Sequence, residues 1–306
     1  MVIGDKLPWK YIFRLHAPWL LATFLVAAAA WMATRIFQLE LPFTPVPFQI
    51  AGVALAIFLG FRNNSAYDRW WEGRKLWGGI VNHSRALARQ VLTLPVAPEA
   101  DRPALLAAQR RIIYRQIAWL YAVKQQLRAA DPLEELKGLL PADELEGLKA
   151  QKNVAAWLIH TNGVEVAGLA AKGWLSDYRL EILDRSLTEL ISLQGGCERI
   201  KSTPIPTAYR IFTYRFTRVF ISVLPLGLVE HLSPSNVPVL IGLSLAFLVL
   251  ETLGRILEDP FSTGPNGLAL GAIARNIEIN LRQQLGETEL PEPAKPTLFN
   301  GIPILL

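Results

Sequence analysis

A single cysteine, Cys197, occurs among 306 residues, which excludes an intrachain disulfide framework and any multi-cysteine metal site. The four histidines, His16, His83, His160 and His231, are scattered and never reach the spacing of an HExxH zinc motif. No GxSxG elbow, no GxxxxGKS/T phosphate loop and no GxGxxG dinucleotide fingerprint occurs. An enzyme is therefore not expected, nor a cofactor. Nucleic-acid-binding motifs are missing as well, although the net charge is +5 and the pI near 9.4. In a membrane protein the same surplus is expected from lysines and arginines kept on the cytoplasmic side. No β-hairpin signal is found.

What the chain has in quantity is apolar surface. Hydrophobic residues make up 51%, mean hydropathy is +0.27 and there are nine tryptophans, more than a soluble domain normally carries. Charged residues still reach 19%, too many for a wholly embedded protein. The composition predicts a membrane part joined to a sizeable water-exposed part. Lys6, Lys10 and Arg14 lie among aromatics ahead of a first span over 17–37, long enough to cross a bilayer. Spans are also predicted at 48–61, 205–229 and 237–254. Between them, 96–203 reads as soluble and helical. Expected helices there cover 105–127, 154–171 and 177–193, the last capped by Ser176 or Asp177 and ended by Gly195-Gly196, with short starts at Asp131-Pro132 and Pro141. One more amphipathic helix is expected over 268–285, before a proline-rich tail that reads as extended or disordered.

Residues 48–78, FQIAGVALAIFLGFRNNSAYDRWWEGRKLWG, organise the rest. The apolar half runs without a breaker into a charged, aromatic half, so one helix should continue from the membrane towards Leu94. Val53, Ile57 and Phe61 stack four residues apart on one face, and Gly52, Ala56 and Gly60 form a small-residue stripe about 100° away. On spacing alone this fits an ordinary membrane-helix face as well as a pore wall.

The short connections 38–47 and 230–236 contain no lysine or arginine, whereas the N-terminus, the middle region and the C-terminus hold essentially all 31. The positive-inside rule then predicts cytoplasmic termini and an inner-membrane location in a bacterial-style cell. The expected organisation is a basic lead-in, first span and hairpin (1–47), a second span continuing as a cytosolic helix (48–95), a helical cytosolic domain (96–203), two spans (204–259), and a C-terminal helix with its tail (260–306).

FLGFRNNSAYDRWWEGRKLWG, GGCER at 195–199, TPIPTAY at 203–209 and LEDPF at 257–261 resemble the prokaryotic bestrophin family over nearly the whole chain. The resemblance implies an all-α membrane protein, four transmembrane helices per subunit with a large helical cytosolic domain, assembled as a homopentamer around a central pore in the lipid bilayer. It implies passive conduction of monovalent ions, sodium-like cations favoured and chloride the alternative. Carried over by position, Val53, Ile57 and Phe61 become the rings of a hydrophobic neck. Tyr178 becomes a cytosolic aperture where relatives often have an aliphatic residue, and its other reading is an ordinary surface residue of a helix start. Arg62, Asn63, Asn64, Asp68, Arg69 and Trp70 form a neck-exit and helix-packing motif. Asn63 and Asn64 would cap broken ends or line the exit, and Arg69 would pair with Glu72 or Asp68. Trp70, Trp71 and Trp77 would pack the neck helix on the cytosolic domain or form an interfacial belt. Glu251 has the residue type of a proton relay but can reach the interface from a helix end. Only Glu258 and Asp259 remain of the acidic run that binds calcium in animal relatives, so no calcium response is expected. A secondary transporter or a non-conducting scaffold are the competing classes; the first would need internal repeats and broken midplane helices, which are not visible.

Overall fold

Apolar runs bounded by prolines and helix stops generate ten α-helices among the described residues. The computed structural model describes residues 9–231, 233–299 and 302–305, so Lys6 and most of the basic lead-in lie outside them. In chain order the helices are α1 (Trp9–Arg35), α2 (Pro45–Thr93), α3 (Arg102–Leu127), α4 (Leu133–Leu136), α5 (Ala142–Leu148), α6 (Val154–Ala171), α7 (Asp177–Ser202), α8 (Thr207–Gly227), α9 (Val237–Leu257) and α10 (Leu270–Gln284). A two-stranded antiparallel hairpin, β1 (Thr297–Phe299) and β2 (Ile302–Ile304), follows, pairing Thr297 with Ile304.

The helix α2 begins where Pro45 supplies a preset φ at its first turn and ends before Pro95. Its 49 residues make a rod about 74 Å long. Leu55, Leu59, Arg62, Ala66, Gly73, Trp77, Ile80, Ser84, Leu87 and Val91 are all buried, and their spacing follows the helical repeat, so one stripe faces inward from end to end. That stripe enters two cores. The first contains Leu20, Ala27, Leu55, Leu59, Phe220, Ile221, Leu224, Leu240 and Leu248 from α1, α2, α8 and α9. The second joins Trp77, Ile80, Leu87 and Val91 to Ile112, Ile117, Trp119, Leu158, Leu187, Leu190, Phe261 and Ile277. Each fully buried aliphatic or aromatic side chain of this second core contributes about 1.5–3 kcal/mol against water.

By length and composition three helices can cross a membrane: α1 over Ile12–Arg35, α2 and α9. Helix α8 carries Arg210, Arg215 and Arg218, which lower its mean hydropathy, and it packs against those three as the fourth member of the first core.

Two expectations change. Gly195-Gly196 does not end α7, which continues to Ser202. Gly196 serves close approach instead. A Cβ on Gly196 would meet Leu76 Cδ2 at 2.8 Å, and one on Gly79 would meet Leu193 Cδ2 at 2.8 Å, so α2 and α7 each seat a leucine on the other's glycine. The tail, described over 287–299 and 302–305, runs extended but is tied down at its start and ends in a short hairpin. Glu287 accepts from Tyr114 Oη at 2.7 Å and Arg282 Nε at 2.6 Å, and the chain closes in the β1–β2 hairpin, too short to carry a sequence signal. Burial works against the Glu287 charge, but these donors and Arg110 outweigh it and hold the carboxyl below its ordinary range. Cys197 sits in the α2–α7 region with its thiol pushed up to about 12 by burial, which keeps it in the inert thiol form.

Gly196→Val is expected to lower the thermal midpoint through overpacking worth about 1–3 kcal/mol. Gly195→Ala, whose new methyl meets nothing within 4 Å, should leave the midpoint unchanged or raised. Equal losses in both variants would contradict the interlock.

Candidate functional site

The site is built on the membrane half of α2, where two faces have opposite tasks. Val53, Ile57 and Phe61 lie two residues out of phase with Leu55 and Leu59, a turn of about 200°, and so look away from the subunit core. They remain 61%, 53% and 64% exposed, apolar side chains with nothing of this chain to cover them. Asn64 and Asp68 continue the same face, both exposed. Of the small-residue stripe only Gly52 meets a neighbour within the chain, Phe220; Gly60 has nothing within 4 Å.

Arg62 does not join the exit. Three and seven residues from Leu59 and Leu55, it falls on the inward face and is completely buried. Its Nη1 donates to Thr213 Oγ1 at 3.1 Å and to Glu251 Oε1 at 3.3 Å, and Nη2 lies 3.5 Å from Glu258 Oε2. Arg218 holds the other oxygen of Glu251 at 3.4 Å while its guanidinium lies 3.2 Å from the centre of the Tyr214 ring. His16 Nε2 stands 3.5 Å from Thr252 Oγ1 one residue along. One carboxylate thus ties α2, α8 and α9 together, with α1 attached beside it. Glu251 is fully buried, so it does not reach the interface; both its oxygens are held by guanidinium groups, which leaves no role as a free proton relay.

The remaining motif residues are structural fasteners. Asn63 Nδ2 donates to the Leu250 carbonyl at 3.1 Å within an unbroken helix, and a Cβ on Gly254 would run into its Oδ1 at 2.3 Å, so it caps no broken end. Arg69 pairs with neither Glu72 nor Asp68. It donates to the carbonyls of Glu258 at 2.8 Å and Thr203 at 2.7 Å, and also to that of Ile200. These are carbonyls at the C-terminal ends of α9 and α7, which lack helical donors and favour a cation. Glu72 pairs with Arg199 instead. Trp70 donates to the Asn266 carbonyl at 2.9 Å and stacks between Tyr67 and Trp71, and Trp77 is fully buried in the second core. Trp71 stays exposed.

At the far end of α2, Arg179 reaches the Leu94 carbonyl at 2.9 Å and places the start of α7 beside it. Tyr178 is there, 74% exposed. The path along α2 from Val53 to that point is about 60 Å. Asp259 is engaged by Lys201 at 2.7 Å and by the Phe261 amide, and Glu258 turns in towards Arg62. Among the described residues no group of three or more histidine, cysteine or acidic side chains is placed to hold a metal ion.

Sequence reading alone missed Thr213, Glu251 and Glu258 as partners of Arg62, and Arg218 as the second partner of Glu251. The signal was available in the heptad step from Leu55 to Arg62, since an arginine on a buried apolar face requires a carboxylate.

A polytopic helical membrane protein with a second helical body beyond its apolar bundle is the class these features define. The chain belongs to the Bacterial/Fungal Bestrophin protein family, whose model matches residues 10–283. A voltage-dependent anion channel-forming protein of Ralstonia nicotianae is 36% identical over 98% of this chain and 99% of its own length. Another of that name, from Escherichia coli K12, is 37% identical over 90% and 89%. A bacterial bestrophin homolog from Klebsiella pneumoniae has a crystal structure that superposes with a TM-score of 0.80 at 35% identity, covering 89% of this chain and 98% of that one. A further crystal structure, of a membrane protein, gives 0.82 at 35% identity over 90% and 100%. This is a family of ion channels and not of enzymes. The relatives' name speaks of anions, against the cation preference that the resemblance implies.

Glu251→Ala leaves Arg62 and Arg218 buried with half their charge partners gone. A loss of about 3–5 kcal/mol is expected, seen as a lower melting midpoint and poor recovery of assembled protein. A variant as stable as the parent would show that the buried cluster does not hold the four helices together.

Proposed function

We propose that the chain forms a homopentameric channel in which five α2 helices surround one central pore. The observation that carries this reading is the exposed Val53–Ile57–Phe61 stripe, turned away from the subunit core on a helix whose opposite face is fully packed. Rings of these side chains offer no ligand to replace an ion's hydration shell. A neck of this kind conducts when wide enough to stay wet and closes by dewetting. Below it the pore follows α2 past Asn64 and Asp68 to a second aperture ringed by Tyr178, where a hydroxylated aromatic sets both width and polarity. The protein sits in the inner membrane with both termini cytoplasmic, as short loops free of lysine and arginine favour.

Cations are the favoured permeant class. Asp68 lies seven residues below Phe61 on the same face, about 10 Å along the helix, and has no hydrogen bond or ion pair among the described residues. Five such carboxylates under the neck attract cations. The relatives' name supports the second reading, an anion pore, in which the more distant Lys75 would outweigh Asp68.

Purified protein in planar bilayers is expected to pass larger single-channel currents when Ile57 and Phe61 are both replaced by Ala. Unchanged current from an intact assembly would end the neck assignment. Under a sodium chloride gradient the reversal potential should lie on the sodium side and move towards zero in Asp68→Asn. A reversal potential on the chloride side, indifferent to that change, would establish the anion reading.

A further inference from the structure

The arginines at one end of the membrane bundle are out of balance with its carboxylates. Arg62, Arg210, Arg215, Arg218 and Arg255 gather where α8 begins and α9 ends, the end joined to α7 and α10. Among the described residues, the carboxylates paired with them are Glu251 and Glu258. Both are taken by Arg62 and Arg218, so five positive charges meet two negative ones and three are left over. Several other arginines do find carboxylates: Arg111 and Arg115 share Glu165, Arg199 has Glu72 and Arg282 has Glu287. Arg210, Arg215 and Arg255 are exposed and make no side-chain hydrogen bond or ion pair among the described residues.

Known contacts bring the three to one place. The Arg218–Glu251 pair fixes the register of α8 against α9. Arg215 is three residues from Arg218 and Arg255 four from Glu251, both one turn towards the same end. Arg255, exposed one turn from Glu251, lies near enough to Arg218 and to His16 of α1 to act on both electrostatically. Arg210 lies two turns before Arg218 in the column that includes Tyr214, over whose ring Arg218 folds. The side chain of Arg218 is only 9% exposed, and its Nε is buried without an acceptor. A set of forked donors lacks oxygens.

We propose that this end of the α1–α8–α9 junction binds a phosphate-bearing anion, held by Arg210, Arg215 and Arg255. Phosphate fits because its several oxygens accept from planar guanidinium forks bidentately, where a halide accepts as a point charge. An inner-leaflet lipid is one source. Val219 and Val223 follow Arg215 at four and eight residues on the same exposed face, a track for acyl chains leading from the headgroup, and basic pockets between spans on the cytoplasmic side recognise such headgroups. Free phosphate is the other source. The site is separate from the Val53–Ile57–Phe61 face, so its occupancy can be read without measuring conduction.

The test uses the full chain purified in detergent, with the melting midpoint followed on addition of phosphatidylglycerol, phosphatidylcholine or inorganic phosphate. Phosphatidylglycerol is expected to raise the midpoint by several degrees while phosphatidylcholine does not. Arg210→Gln with Arg255→Gln should remove most of that shift, and Arg255→Lys should keep only part of it. An equal shift from millimolar inorganic phosphate, lost in the double variant, supports the site with the free ion as its ligand. Phosphatidylcholine acting as well as phosphatidylglycerol on the unaltered chain would overturn the proposal, whatever the variants do. A full phosphatidylglycerol shift in the double variant would overturn it too.

Discussion

Everything in the fold depends on a guanidinium that has no route to water. Arg62 sits on the buried stripe of α2 with Glu251, Glu258 and Thr213 around it, and removal of any charge partner would leave an ion in an apolar interior. In lipid there is little hydrophobic force between helices, so close packing and polar contacts must choose which faces meet. Here the polar contact chooses. By turning Arg62 inward it commits Leu55 and Leu59 to the core and leaves Val53, Ile57 and Phe61 outward, because the two sets differ by about 200° on one rigid helix. The ion cluster and the open apolar face are two results of one rotational setting.

The same helix then carries that setting into the cytosolic body. The stripe continues through Ala66 and Gly73 to Trp77, Ile80 and Val91 without a break in phase. Small residues appear where another backbone must come near: Gly73 admits Pro260 and Phe261, and Gly79 and Gly196 receive leucines from the facing helix. Arg69 grips the carbonyl ends of α7 and α9 between the two cores. Membrane and cytosolic parts are therefore continuous in mechanical terms, although their solvents differ.

Much of this was legible beforehand. The spans, the long helix and most of the remaining helices follow from apolar runs and from starts such as Ser176-Asp177, where α7 begins. The failures have a common cause. Gly195-Gly196 reads as a stop only when α7 is considered alone, and becomes a contact once Leu76 of α2 is present. Arg62 reads as water-facing when charge is followed along the chain, and as buried when it is placed on the helix circumference. Arg69 was assigned carboxylates close in sequence, whereas its partners are carbonyls more than 130 residues away. Local spacing cannot reveal such contacts. The tail hairpin depends on three-residue strands, below the length at which alternation carries a signal.

The grip of Arg69 has a consequence for how α2 can move. It divides the stretch from Val53 to Leu94 unequally, about 24 Å on one side and about 37 Å on the other. A stiff bar held at such a point behaves as a seesaw with arms near two to three. Tilting that carries Val53 outward carries Leu94 inward by about one and a half times as much, so in the proposed ring of such bars the two mouths would change width in opposite senses.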